Sequence, residues 1–193
     1  MGISLTKQQT ISLEKGGAGL TRVFLGLGWD VAKAGGLRGL FGGGGGSIDL
    51  DASCVVFTDV GEHVETVYFG HLTGQSGAIR HGGDNLTGAG DGDDERIFVD
   101  LSRLPAKART LIFTVNSFRG QTFDKVANAF ARVVDEVSGQ EIARLNLSEQ
   151  GSHTGLVMVK LVRNGSTWSL TALGDRLNGR TAAELVPALS RYL

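Results

Sequence analysis

Asp84 to Glu95 is a twelve-residue stretch with five carboxylates, three glycines and no basic residue. Two like charges about 5 Å apart repel by about 3 kcal/mol at an effective dielectric near 20. If a fold holds five such charges together, it needs a counter-charge, and a hard divalent cation with oxygen ligands is the simplest. A second source of carboxylates lies upstream. Asp49 and Asp51 are two residues apart in a segment that alternates strictly, with Ile48, Leu50, Ala52, Cys54 and Val56 on one side. In a strand that spacing puts both carboxylates on one face, with their backbones about 7 Å apart. Asp49, Asp51 and Ser53 then make a polar face opposite an apolar one that belongs to the core. Asp30 follows Gly28-Trp29 at the end of another alternating run, which is a rim position.

These groups match calcium better than other metals. Asp30, Asp49, Asp51, Asp84, Asp91, Asp93, Asp94 and Glu95, with Asn85 and backbone carbonyls, supply enough oxygen for about two Ca²⁺ ions. Mg²⁺ prefers fewer protein ligands and more water. Zinc is disfavoured, because Cys54 is the sole cysteine and His63, His71, His81 and His153 show no ligand spacing. The loop is not an EF-hand: counted from Asp84, Glu95 falls at position 12, but Leu86, Gly88 and Ala89 occupy positions 3, 5 and 6. Paired carboxylates can also act as acid and base. The acids here outnumber what that chemistry needs, and no nucleophile stands with a histidine, so metal binding without catalysis is the preferred reading.

The elements that carry these residues read mostly as strands. Arg22–Trp29, Ile48–Phe57, Glu65–Phe69, Arg96–Leu101, Thr110–Asn116, Phe130–Glu136, Glu141–Leu147, Gly155–Leu161 and Thr167–Leu173 alternate or are β-rich, with turn signals such as Asn164-Gly165 between them. Helix is scarce. Thr122–Asn128 has room for a turn or two. Thr181–Leu193 opens with a capping-box pattern, Thr181 with Glu184, and is limited by Pro187. The fold class expected is all-β, a β-sandwich of two mainly antiparallel sheets with short peripheral helices. One domain is expected over residues 1–193, with a glycine-rich insertion at about 35–47 that includes the run Gly42–Gly46. That run lacks the Gly-Lys-Ser/Thr element of a phosphate loop.

The net charge of −1 argues against a nucleic-acid surface. No apolar run approaches the length of a membrane span, and the N-terminus has no secretory apolar core. Cys54, on the apolar face of its strand, reads as a packed thiol in a reducing compartment.

At the acidic residues the sequence resembles the TerD family of tellurite-resistance and stress proteins. The matching motifs are Gly28-Trp29-Asp30, Asp49-Leu50-Asp51-Ala52-Ser53, Gly83-Asp84-Asn85-Leu86-Thr87-Gly88 with Gly92-Asp93-Asp94-Glu95, Ile97-Phe98-Val99-Asp100-Leu101 and Asn128-Ala129-Phe130. Leu40-Phe41 with the glycine run, Thr114-Val115-Asn116-Ser117-Phe118 and Gly151-Ser152-His153-Thr154-Gly155 point to the TerZ subtype. The resemblance implies a β-sandwich with two adjacent Ca²⁺ sites, drawn from Asp30, Asp49, Asp51, Asp84, Asn85, Asp91, Asp93, Asp94 and Glu95. It implies a bacterial protein of the cytoplasm or the inner face of the membrane. Its expected partners are other stress and tellurite-resistance proteins in membrane-associated complexes, and its expected role is calcium-dependent interaction or scaffolding. A metal-dependent hydrolase or tellurite-processing enzyme is the alternative.

Overall fold

A computed structural model describes residues 2–31, 48–87, 92–147 and 151–193. The glycine-rich insertion expected at about 35–47 and the proposed ligand Asp91 lie outside the described residues. Strands in chain order are β1 (Ile3–Ser4), β2 (Thr10–Ser12), β3 (Glu14–Lys15), β4 (Ala18–Gly19), β5 (Arg22–Val31), β6 (Leu50–Phe57), β7 (His63–Val67), β8 (Ile79–His81), β9 (Glu95–Asp100), β10 (Thr110–Ser117), β11 (Val126–Asp135), β12 (Glu141–Asn146), β13 (Gly155–Asn164) and β14 (Thr167–Leu177). They form two six-stranded sheets, β1-β12-β11-β5-β9-β8 and β2-β14-β13-β10-β6-β7, and a small ribbon of β3 and β4. Every pairing is antiparallel except β1 with β12. The sandwich expected from the alternation is the fold observed.

The core lies between the sheets. Val23, Leu25, Leu27 and Trp29 of β5 and Leu50, Ala52, Cys54 and Val56 of β6 are buried in one apolar cluster. This is the period-2 burial that the sequence predicts. The second face of β6 differs from expectation. Asp51 and Ser53 are 3% and 1% exposed rather than solvated. The cause is the C-terminal segment, which packs on the outside of that sheet. Leu185, Leu189 and Tyr192 join Val55, Phe57, Ile112, Val157, Leu173 and Leu177 in a second buried cluster. A sheet face that reads as polar from one strand thus becomes interior.

That segment begins with α1 (Ala182–Leu185) and continues as a 3₁₀ helix, Val186–Tyr192, with Pro187 at its start. Thr181 caps α1 by accepting from the Glu184 N–H at 3.3 Å. The Glu184 carboxylate accepts from the Arg180 N–H at 2.9 Å, one residue before the cap. Thr122–Asn128, expected as a turn or two of helix, is a single 3₁₀ turn at Phe123–Lys125. The chain is already strand from Val126. The register of β11 against β5 slips between Ala127 and Phe130. Asn128 sits in that slip with φ of 51°, a left-handed backbone that asparagine tolerates better than most residues.

The outer face of the first sheet is dressed by arginine on phenylalanine. The guanidinium groups of Arg80, Arg96 and Arg144 stand 4.4, 5.5 and 4.2 Å from the rings of Phe98, Phe24 and Phe130. Aromatic surface is thereby covered while the charges stay near water.

Candidate metal centre

Four separated segments meet at one end of the sandwich. Trp29 in β5 donates its backbone N–H to Asp94 Oδ2 at 2.9 Å and its indole N–H to the Ile48 carbonyl at 3.1 Å. Ala52 in β6 donates its N–H to Glu95 Oε2 at 2.7 Å. Asn85 donates its N–H to Glu95 Oε1 at 3.3 Å and its amide to Asp94 Oδ1 at 2.9 Å. Glu95 and Asp94 therefore act as struts, bringing the loop after β8 against the starts of β6 and β9.

At the meeting point, carboxylate oxygens of Asp49, Asp51 and Asp84 lie within 4.8 Å of one another. Asp49 and Asp51 are buried and Asp84 is exposed, so the cluster opens to solvent on one side. Its electrostatics are unfavourable as it stands. Burial, then the charges of Glu95, Asp49 and Asp84, push the Asp51 carboxyl up to about 8, against a small opposing hydrogen bond from Asn116. Burial and Asp84 also raise Asp49, with Arg119 pulling the other way. Arg119 Nε is 3.4 Å from Asp49 Oδ2, on a side chain that is 48% exposed, so water weakens this counter-charge. Asp49 Oδ1 is buried with no hydrogen-bond partner. Three hard oxygen donors, one of them orphaned, fit a cation of the calcium type.

The other expected ligands fall into two further places. Asp94 is raised by burial and by the charges of Asp30 and Asp93, despite the Trp29 N–H bond. Asp30 is exposed and accepts from the Asn128 amide at 2.8 Å. This makes a second acidic locus beside the first. Asp93 is held differently. Its carboxylate is fully buried, accepts from Arg132 Nε and Nη2 at 2.6 and 2.8 Å, and takes a third bond from Arg96 at 3.0 Å. Burial raises Glu95, an effect partly offset by His81 and by the Ala52 and Asn85 N–H groups. His81 Nε2 is 3.4 Å from Glu95, while Gly83 N–H donates to His81 Nδ1. That donation leaves the ring proton on Nε2, facing the carboxylate.

Glycines make room for this arrangement. A Cβ on Gly26 would overlap the Asp93 carboxylate, and one on Gly28 would overlap the Gly92 carbonyl and the Phe130 ring. Gly26→Ala is expected to cost about 1–3 kcal/mol through overpacking, read as a lower urea midpoint. An unchanged midpoint would mean that Asp93 can move freely.

Comparison with known proteins places the chain. A family model, the TerD domain, matches residues 1–187. The chain belongs to the TerD family. It is similar to the tellurium resistance protein TerZ of Serratia marcescens, 54% identical over 183 residues that cover 95% of this chain and 94% of that one. It is 40% identical to the stress response protein SCP2 of Bacillus subtilis (strain 168), each chain covered in full. The fold is shared with the crystal structure of a telluride resistance protein (TerD) homologue from Streptomyces coelicolor A3(2). The TM-score is 0.71 at 21% identity, covering 87% of this chain and 96% of that one. The TerD family and the likeness to TerZ match the expectation drawn from the motifs. Arg119, Arg132 and Asn116 were not among the expected site residues. Their partners are distant in sequence; Asn116 lies in the Thr114–Phe118 motif, but nothing local there marks it as a partner of Asp51.

Proposed function

We propose that this TerD-family chain is a calcium-binding module of the tellurite-resistance and stress response, acting by interaction rather than by turnover. The observation that carries this reading is the buried, partnerless Asp49 Oδ1 within the Asp49–Asp51–Asp84 cluster. One ion would take Asp49, Asp51 and Asp84, with Glu95 alongside. A second would take Asp94 and Asp30 with Asn85. Asp93 serves the structure, because its carboxylate is already paired with two arginines. The metal relieves repulsion among side chains that come from separate segments, so it ties the loop after β8 to the sandwich and presents an ordered surface. The whole chain acts as one domain in this reading, at the cytoplasmic face of membrane-associated stress complexes. Among the described residues no helix is long and apolar enough to cross a membrane. The names of TerZ and SCP2, two of its relatives, denote a resistance and a stress protein.

Calorimetry and thermal melting of chelator-treated protein test the proposal. Calcium is expected to bind with about two ions per chain and to stabilise the fold by about 2.7 kcal/mol for each ion at a hundredfold excess over its dissociation constant. Asp49→Asn combined with Asp51→Asn should lose the first ion's share of that response while keeping a native β-sheet spectrum. No heat and no melting shift at millimolar calcium would rule the reading out.

A further inference from the structure

The polar face of β6 continues away from the acid cluster into a cavity of about 550 Å³ between the second sheet and α1. This is within the range of small-molecule sites, roughly 300–1,000 Å³. Asp51, Ser53 and Asn116 line it, and each is 3% exposed or less. Asp51 and Asn116 are cross-strand neighbours, and Ser53 is the next residue on the same face. The Asn116 amide N–H group donates to Asp51 Oδ2 at 3.1 Å and to the Arg180 carbonyl at 2.7 Å. Both partners are acceptors, so the amide orientation is determined and Asn116 Oδ1 is left as an acceptor. That oxygen and Ser53 Oγ are buried without a hydrogen-bond partner. A buried polar group left unpaired costs about 1–3 kcal/mol, and a ligand that donates to both oxygens would recover it.

The rest of the lining restricts the ligand further. Tyr68, Phe69 and Phe118 form an aromatic side, with Phe69 packed edge-on to both of the others at 5.4 and 5.6 Å. Among the described residues, no lysine or arginine lines the cavity. His63 does, and its Nε2 is 2.9 Å from the Thr66 hydroxyl. With no lysine or arginine among the described lining residues to balance a negative charge, an anionic ligand is disfavoured. We infer that this cavity binds a small molecule with a flat apolar body and a non-anionic N–H donor head, a primary amide or a primary amine. This site is separate from the metal cluster and touches it only through Asp51.

The test uses three probes on one ring system: indole-3-carboxamide, tryptamine and indole-3-carboxylate. Each is titrated into the full chain, with calcium and with chelator, and read by amide NMR shifts. The carboxamide or tryptamine is expected to bind at least about tenfold more tightly than the carboxylate, a difference of about 1.4 kcal/mol. Shifts should centre on Ser53, Tyr68, Asn116 and Phe118. Carboxamide binding alone assigns the amide, and tryptamine binding that weakens in calcium assigns the amine. Ala183→Trp, which fills the cavity from an exposed position on α1, should abolish binding and leave the calcium response intact. The inference is overturned if no probe binds by 5 mM (about −3 kcal/mol), if the carboxylate binds as well as the others, or if Ala183→Trp binds normally.

Discussion

Replacing Arg132 with methionine is expected to lower stability by about 3 kcal/mol, a loss on the scale of emptying an apolar core position. The Asp93 carboxylate is fully buried under β5 and receives a two-pronged contact from Arg132. Taking away one partner of a buried pair strands the other, at about 3–5 kcal/mol. The lower end applies, because Arg96 remains at 3.0 Å on a side chain that is 48% exposed. The same contact holds the Arg132 guanidinium above its usual range, with the Asp93 hydrogen bonds as the main cause. Arg132→Lys should recover little, since lysine keeps the charge but not the fork. Asp93→Asn in the Arg132→Met background should recover a large part, because the stranded charge is then gone. Urea unfolding of wild type, the two single variants and the double variant gives the coupling directly. Calcium bears on the interpretation. If Asp93 were instead a metal ligand, saturating calcium would rescue Arg132→Met selectively. Equal calcium stabilisation of wild type and variant supports the structural role.

Most of the architecture could be read from local pattern, because period-2 burial is a local property. The alternation of Val23, Leu25, Leu27 and Trp29, and of Leu50, Ala52, Cys54 and Val56, places both central strands on the core. The short pieces β1 to β4 and β8 escape such a reading. They span two or three residues each, too few for a period to show. The outer face of β6 misleads for a different reason. Asp49, Asp51 and Ser53 look solvated until the C-terminal segment, more than 120 residues later, covers that sheet. Within the site, the carboxylates announce themselves by density, and the structure brings oxygens of Asp49, Asp51 and Asp84 within 4.8 Å of one another. What stays hidden is which acids are already occupied. Nothing near Asp93 distinguishes it from Asp94, yet one faces Arg132 and the other the Trp29 N–H. That difference is set by Gly26, whose missing Cβ leaves the space Asp93 fills. Asn128 is similar: its place in the family-like motif is visible, but its left-handed backbone and its bond to Asp30 need the register slip in β11.

Calcium should bind about fiftyfold more weakly at pH 6 than at pH 8, from the competition of one proton with a pKa near 8. The proton is that of Asp51, whose carboxyl is raised from 3.8 by burial and by Glu95, Asp49 and Asp84. The metal requires the ionised form, so affinity rises with pH and levels off above about 8. Metal-free stability runs the other way. Between pH 3.8 and about 8 the folded chain keeps a proton that the unfolded chain has lost. Stability of the metal-free protein therefore falls as pH rises through that window. Asp49, Asp94 and Glu95 are shifted in the same direction and add to the fall. Chelated protein should melt lower at pH 8 than at pH 6, and saturating calcium should remove that difference, because the metal-bound and the unfolded chain both carry Asp51 ionised in that window. Asp51→Asn separates the two effects. The amide oxygen can still accept from Asn116, while the buried charge is gone, so the metal-free variant should be more stable than wild type at pH 8 and bind calcium poorly at both values. Calorimetry in buffers of different ionisation enthalpy should count about one proton released per chain near pH 7. A dissociation constant that stays flat from pH 6 to 8 would mean that Asp51 is not a ligand. The cluster would then be relieved by some means other than a metal, and the orphaned Asp49 oxygen would need another partner.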